Sequence, residues 1–356
     1  MARYSQHIKK GGKEVAEDTT NIAIVNSSTF GIYFPDLMQR LKKIGIVERI
    51  TVDPKIPAKE LAAKLKGFKF VIASVTPNFT SEFFQYNKDV KLIARHGIGY
   101  NNVDIKAATE NGVMVTRVLG IHERDSVAEL AIALILICLR QIIPANKAVE
   151  ENKWQDRKNF VGDELSKLTV GIIGYGNIGS RVAEIVKEGF GSKVIAYDPY
   201  IADKVIEKTG VTPVSFEELL KTSDVISLNA SLNEGNYHFI NKRAFNLMKN
   251  GVVIVNTARG ELINQNDFIE ALESKKVSAA GLDVLDEEPI NPNNPLLKYP
   301  NVYILPHIGG YGKYSLRKMD EKMVEDIEKL MKGEIPEQIV NPEIIEKIIT
   351  QFKGRK

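Results

Sequence analysis

Short apolar runs alternate with amphipathic stretches along most of the chain. From Asn21 the runs NIAIVNSS, ITVDP, FVIASV, VKLIARHG and VMVTRV are interleaved with FPDLMQRLKKIG, PAKELAAKLKG, TSEFFQYN and VDIKAATENG. The runs are continuous and rich in Val and Ile, the pattern of strands covered by helices on both faces. A second series of the same kind follows: LTVGIIGYG, a helix from Asn177, KVIAYDP, VISLNA, a helix from Asn241, VVIVNTARG, a helix from Gln265, AAGLDVL and NVYILPHI. Strand and helix in alternation predict an α/β fold of two doubly wound parallel sheets in one chain.

The stretch joining the two series, Arg124 to Trp154, predicts a helix capped at Asp125-Ser126 and carrying Val127, Leu130, Ala131, Leu134 and Cys138. It is apolar on more than one face, so it needs cover on several sides, within the monomer or against another domain or subunit. After His307, Tyr314 to Lys332 predicts a last helix, apolar at Leu316, Met319, Met323, Ile327 and Leu330. No strand follows it, and one economical place for it is back on the first series. That domain would then be discontinuous, with the second inserted in it.

Composition narrows the class. A length of 356 residues fits two domains. With 44% hydrophobic and 26% charged residues the chain is neither collagenous, a coiled-coil rod nor largely disordered. The net charge of +3 sits at the ends: residues 1–20 hold four Lys/Arg against three acids and residues 342–356 four against two, leaving 40 of each sign in the body. A neutral body points away from a nucleic-acid partner. The single cysteine, Cys138, rules out an intramolecular disulfide, and no Cys/His cluster has metal-ligand spacing, so no metal and a reducing cytoplasm are expected. Ala131 to Leu139 is far shorter than the ~18–20 apolar residues that span a bilayer, and residues 1–20 lack the apolar segment of a secretory signal; no membrane association is expected.

The most specific local signal is VGIIGYGNIG, Val170 to Gly179, a strand running straight into G-x-G-x-x-G. Gly174 permits the tight turn, Gly176 lets a pyrophosphate approach the backbone, and Gly179 lets the helix pack closely on the strand. The helix start then offers unpaired N–H groups to phosphate. Nineteen positions past Gly179, at the end of the next strand, stands Asp198. An acid there accepts hydrogen bonds from a ribose diol and repels a 2′-phosphate, favouring NAD over NADP; a surface aspartate ending a strand is the plain alternative.

Three ionisable residues follow the ends of later apolar strands, where α/β sheets place their chemistry: Arg259 after VVIVNTA, Glu288 after GLDVLDE and His307 after VYILP. Singly, Arg259 also reads as a surface charge, Glu288 as one of three neighbouring acids with Asp286 and Glu287, and His307 as a loop histidine.

Taken together with the glycine turn, these residues resemble the D-isomer-specific 2-hydroxyacid dehydrogenases. The matching stretches are Arg95 to Asp104 (RHGIGYNNVD), Gly174 to Gly179, Tyr197-Asp198-Pro199, Asn256 to Gly260 (NTARG), Gly281 to Val284 (GLDV), Glu287-Glu288-Pro289 and Pro306 to Gly310 (PHIGG), in order from Asn21 to Asn341. The resemblance implies a Rossmann NAD-binding domain, residues 121–310, inserted in a flavodoxin-like substrate domain of residues 21–120 and 311–345. Residues 1–20 would be an extension and 346–356 a tail. It implies Arg259, Glu288 and His307 as the catalytic trio. Gly174, Gly176, Asn177, Ile178, Gly179, Asp198, Asn236, Thr257, Ala258, Asp283 and Gly310 would bind NAD. Gly97, Ile98, Gly99 and Tyr100, with Arg259, would bind the substrate, and the long helix would contribute to a homodimer. Arg259 then clamps the carboxylate of a 2-oxo acid and polarises its carbonyl, His307 is the general acid and base, and Glu288 favours the imidazolium.

Some positions depart from the family pattern. Ile98 replaces a small hydroxyl residue common in relatives, and Ser231 replaces a proline. Ser74 stands where phosphoglycerate dehydrogenases of the family carry an arginine for the phosphate, and the chain is expected to lack the regulatory domains many of them add. Glu288 argues against formate dehydrogenase, which has a glutamine there. The expected substrate is a small or medium unphosphorylated 2-oxo acid, pyruvate-like, reduced to the D-2-hydroxy acid. D-3-Phosphoglycerate or glyoxylate/hydroxypyruvate oxidoreduction is the alternative within the class, and an NAD-sensing corepressor the alternative outside it.

Overall fold

The structure, a computed structural model, describes residues 20–348. Residues 1–19 of the expected extension and 349–356 of the expected tail lie outside the described residues. The chain forms two compact units, one made of the residues up to Val118 together with those from Arg317 onward, the other of Leu119–Leu316.

The first unit runs β1 (Asn21–Val25), α1 (Pro35–Lys42), β2 (Ile46–Ile50), α2 (Ala58–Lys64), β3 (Phe70–Ala73), α3 (Ser81–Tyr86), β4 (Leu92–Arg95), α4 (Ile105–Glu110) and β5 (Met114–Thr116). All pairings are parallel, in the order β2-β1-β3-β4-β5. That is the flavodoxin-like doubly wound order, in which ligands bind beyond the carboxyl ends of the strands. Strands β3, β4 and β5 are buried along their whole length, as their continuous apolar runs require. The edge strand differs from the sequence expectation. It occupies Ile46–Ile50, ahead of the run ITVDP, and is largely exposed, because an edge strand does not need an unbroken apolar run.

The second unit runs α5 (Gly120–Arg140), α6 (Ile142–Glu150), β6 (Thr169–Ile173), α7 (Asn177–Glu184), β7 (Lys193–Tyr197), α8 (Asp203–Glu207), β8 (Thr212–Pro213), α9 (Phe216–Thr222), β9 (Val225–Leu228), α10 (Lys242–Leu247), β10 (Val252–Asn256), α11 (Gln265–Glu273), β11 (Val277–Leu282) and β12 (Val302–Ile304). The last helix, α12 (Lys313–Met331), begins in this unit and from Arg317 belongs to the first, where Met323, Val324, Ile327 and Leu330 are fully buried. There Arg40 grips Glu328 with two hydrogen bonds of 2.8 and 2.7 Å.

The sheet order β12-β11-β10-β9-β6-β7-β8, all parallel, is the Rossmann order with one strand added beside β11. It reverses between β6 and β9, so the loops after these two strands flank a crevice.

Helix α5 starts at Gly120, not at the expected Asp125-Ser126 cap. Both residues are interior to the helix and bond elsewhere: Asp125 accepts from the Arg181 guanidinium at 2.8 Å, and Ser126 donates to the Gly309 carbonyl at 2.7 Å and accepts from Gly312 N–H at 2.9 Å. The helix packs on α7, β10 and β11. A Cβ at Gly281 would lie 2.7 Å from Leu134, so glycine there brings α5 against the sheet. Gln141, with φ of 49°, ends the helix and turns the chain into α6. Among the described residues no single helix is long and apolar enough to cross a membrane.

Burial of Cys138 in this contact pushes its thiol up to about 12. Native protein is therefore expected to resist a thiol-specific maleimide at pH 8 and to react stoichiometrically once unfolded in urea, since the thiolate is the nucleophile. Rapid labelling of the folded chain would contradict this burial.

Candidate active site

Three adjacent parallel strands, β10, β11 and β12, each lead at their carboxyl end into one member of the expected trio. The step after β10 is shaped by Asn256, wholly buried, whose amide donates to the Arg259 carbonyl at 2.8 Å and accepts from Ala258 N–H at 3.0 Å. These bonds fold the main chain into a turn at half-buried Arg259, whose Nη1 donates to the Ala258 carbonyl at 2.6 Å. Gly260 then passes directly against the loop after β11: an added Cβ would fall 1.9 Å from the Leu285 carbonyl carbon and 2.2 Å from Asp286 N. Only glycine permits this approach, which brings the arginine's loop against the loop that carries Glu288.

Glu288 is held at both oxygens. Its Oε1 accepts from Leu285 N–H at 2.9 Å, and its Oε2 meets His307 Nδ1 at 2.7 Å. The imidazole and the carboxylate are each 29% exposed, so the pair is accessible from one side while shielded on the others. His307 has a φ of 56°, unusual for a residue with a side chain. The backbone is fixed there by Asp283, whose carbonyl accepts from His307 N–H at 2.9 Å and whose carboxylate accepts from Ile308 N–H at 2.8 Å and Gly309 N–H at 2.7 Å. Burial pushes the Asp283 carboxyl up, opposed by those two N–H groups and by the nearby imidazole. Three hydrogen bonds to one residue offset a backbone strain of about 1–3 kcal/mol.

The glycine turn follows β6. Gly174 has φ of 88°, and a Cβ would lie 2.6 Å from Ala230 N, in the loop after β9. At Gly179 an added Cβ would meet the Gly174 carbonyl oxygen at 1.9 Å, so the helix can sit this close to the turn only without a side chain. Gly176 differs: a Cβ there meets nothing within 4 Å. Space is kept in front of this residue, at the start of α7 with Asn177 and Ile178, which fits a pyrophosphate resting on the helix N-terminus. Asp198 lies beside the turn, accepting from Tyr175 N–H at 2.7 Å, while its other oxygen accepts from Tyr200 N–H at 2.8 Å and Ile201 N–H at 3.2 Å.

The geometry separates two kinds of glycine. Gly174→Ala is expected to destabilise the fold by ~1–3 kcal/mol, seen as a lower Tm, because both φ and the Ala230 contact oppose a side chain. Gly176→Ala is expected to leave stability within ~0.5 kcal/mol but to weaken NADH binding about tenfold or more. Equal NADH affinity in Gly176→Ala protein would show that no phosphate approaches this backbone.

The remaining expected cofactor residues of this unit differ in their settings. Asn236 closes its own surface turn, accepting from Asn233 N–H at 2.7 Å and donating to the Ser231 carbonyl at 2.8 Å. Thr257 is buried, and its hydroxyl has no partner among the described residues. Gly310 sits in the turn closed by Tyr311 N–H on the Ile308 carbonyl at 2.9 Å. The sequence assigns Asn256 and Gly260 no role, and their place in NTARG is the one signal for them; it reads Ser126 only as part of a helix cap, and nothing in it marks the bonds to Gly309 and Gly312.

In the first unit, Gly97 to Tyr100 form the loop after β4. Buried Arg95 supports it from below, donating to the Gly99 carbonyl at 2.8 Å and to the Ala73 carbonyl at 2.6 Å. Val118 N–H donates to the Gly97 carbonyl at 3.1 Å. The N–H groups of Ile98 and Gly99 have no acceptor among the described residues, leaving two adjacent backbone donors. The Arg117 guanidinium lies 5.5 Å from the centre of the Tyr100 ring.

A Rossmann unit bearing a His–Glu pair and an arginine after adjacent strands suits a nucleotide-dependent oxidoreductase. Comparison with known proteins agrees. The family model described as "D-isomer specific 2-hydroxyacid dehydrogenase, NAD binding domain" matches residues 132–309. The chain is 36% identical over 300 residues to a glyoxylate reductase of Thermococcus litoralis, covering 82% of this chain and 90% of that one. It is 36% identical over 293 residues to a D-3-phosphoglycerate dehydrogenase of Archaeoglobus fulgidus, covering 82% of this chain but spanning 55% of that relative's length. Among solved structures, a D-lactate dehydrogenase from Aquifex aeolicus complexed with NAD and lactic acid superposes with a TM-score of 0.80 at 29% identity, over 90% of this chain and 99% of that one. The chain belongs to the D-isomer specific 2-hydroxyacid dehydrogenase family, NAD-dependent oxidoreductases acting on the CH–OH group of donors.

Proposed function

We propose that this chain reversibly reduces a small or medium unphosphorylated 2-oxo acid to the D-2-hydroxy acid with NADH, through Arg259, Glu288 and His307. The observation that carries the reading is the 2.7 Å contact of His307 Nδ1 with Glu288 Oε2. With Glu288 ionised, Nδ1–H donates to it, and Nε2 is left for a reacting oxygen.

Gly174 to Gly179 would hold the pyrophosphate, and Asp198 the ribose hydroxyls. The nicotinamide, when bound, supplies or accepts the hydride. In the reducing direction the His307 imidazolium donates its Nε2 proton to the carbonyl oxygen, while Glu288 holds Nδ1 and so orients the ring. In the oxidising direction neutral Nε2 takes the hydroxyl proton. Arg259 presents a planar fork of donors that pairs with a carboxylate and polarises the neighbouring carbonyl. The free N–H groups of Ile98 and Gly99 suit a carboxylate as well. Asn236, Thr257, Ala258, Asp283 and Gly310 are assigned to the cofactor's surroundings.

Ser74 in place of a phosphate-binding arginine supports the unphosphorylated class, and the similarity to glyoxylate reductases makes glyoxylate and hydroxypyruvate the first compounds to try within it. Exposed Ile142, Ile143 and Val149 on α6 suit a homodimer, and a lone buried cysteine suits the cytoplasm.

Initial rates of NADH loss with pyruvate, 2-oxobutyrate, 2-oxoisocaproate, phenylpyruvate, glyoxylate and hydroxypyruvate test the reading, with product chirality measured where the product is chiral. Turnover giving the D product is expected; no turnover with any of them, or an L product, would overturn it. Asp198→Ala is expected to admit NADPH, and an unchanged preference for NADH would place discrimination elsewhere.

A further inference from the structure

Beneath the glycine loop of the first unit lies a buried polar constellation that the proposed chemistry does not use. His96, the residue before Gly97, places Nε2 2.8 Å from Asp320 Oδ1 on α12, with the two side chains 4% and 1% exposed. The second carboxylate oxygen accepts from Gly31 N–H at 2.7 Å. On the other side of the ring, Nδ1 is 3.5 Å from Ser27 Oγ, which itself accepts from Phe30 N–H at 3.1 Å. The Phe30 ring meets the imidazole edge-on, with centroids 5.6 Å apart. A serine, a histidine and an aspartate in a row suggest a hydrolase by residue type alone, but Ser27 is 9% exposed, its hydroxyl already accepts from Phe30 N–H, and its 3.5 Å distance to the ring is long for an activated nucleophile.

Burying a carboxylate beside an imidazole costs several kcal/mol of desolvation unless geometry and further hydrogen bonds compensate, and an apolar pair of the same volume often serves stability as well or better. What the pair adds is position. It ties three segments together: the loop after β1 through Ser27 and Gly31, helix α12 through Asp320, and the loop after β4 through His96 itself, whose N–H donates to the Ala73 carbonyl at 2.9 Å. The next two residues but one along the chain, Ile98 and Gly99, carry the free N–H groups, and Arg95 on the near side fixes the Gly99 carbonyl. We propose that His96 and Asp320 are positioning residues that hold the Ile98 and Gly99 N–H groups in place to receive the substrate's carboxylate. This rests on the dehydrogenase reading of the preceding section.

Carboxylate binding of this kind is shared by ground and transition states, so its loss raises KM with little change in kcat. His96→Asn keeps a polar group near Nδ1 but cannot reach Asp320; His96→Gln extends an amide N–H to about the place of Nε2. The experiment compares wild type, His96→Asn, His96→Gln and Asp320→Asn in two ways: steady-state kinetics with the best 2-oxo acid from the panel, and calorimetric binding of oxamate, a non-reacting 2-oxo acid mimic, to the NADH complex. NADH titration by fluorescence checks the fold of the other unit in each variant.

Expected are a rise in KM and in oxamate Kd of about tenfold in His96→Asn and Asp320→Asn, kcat within about threefold, and His96→Gln within about threefold of wild type. If the wild type turns over and the Asn variants, though lower in Tm, keep wild-type KM and oxamate affinity, the dyad is only structural and the inference falls while the dehydrogenase reading stands. If the wild type binds oxamate without turnover and the Asn variants lose it, the catalytic reading falls and the positioning role survives. A wild type that neither turns over nor binds oxamate overturns both.

Discussion

His307→Ala lowers kcat by about 10²–10⁴-fold, the range that a positioned general acid and base supplies. NADH affinity, measured by fluorescence titration, stays within about twofold, because the glycine turn and Asp198 belong to other loops of the same sheet. The size of the effect follows from geometry. Glu288 occupies Nδ1 at 2.7 Å and Asp283 fixes the backbone, so the ring has one nitrogen to offer and one orientation in which to offer it. Water can protonate the carbonyl oxygen in its place, but without that alignment. A kcat within about threefold of wild type would remove His307 from the chemistry.

Arg259→Ala costs about 3–6 kcal/mol in kcat/KM, since two charge-assisted hydrogen bonds to a carboxylate are worth ~1.5–3 kcal/mol each. Arg259→Lys recovers only part of this, because an ammonium cannot reproduce the planar fork. The turn that presents the guanidinium is held by the Asn256 side-chain amide and the close approach at Gly260, and the Arg259 side chain adds its own bond to the Ala258 carbonyl, so Tm is measured beside the kinetics of both variants. Steady-state kinetics with the preferred 2-oxo acid provide the measurement; a loss of under about tenfold would contradict the clamp.

Much of this architecture is legible in the sequence because interior parallel strands need continuous apolar runs, and β3, β4, β6, β9 and β10 lie where those runs are. Where burial is one-sided the signal fades. Edge strand β2 is displaced from ITVDP, and the start of α5 is misplaced by the polar pair Asp125-Ser126, whose partners Arg181, Gly309 and Gly312 are remote in sequence. The glycine turn reads well because its constraints are steric and local. Arg259, Glu288 and His307 each have an ordinary alternative when taken singly; family resemblance links them along the sequence, and the strand order β10-β11-β12 puts the loops that carry them after adjacent strands. Nothing local marks the contact of His96 with Asp320, whose partners stand 224 residues apart.

The contact at Gly260 sets how this site tolerates change. Main chain rests on main chain there, at Leu285 and Asp286, with no room for a side chain between the loop of Arg259 and the loop that carries Glu288. Lengthening or shortening the segment from Asp283 to Pro289 by a single residue is therefore expected to unseat the two loops from each other.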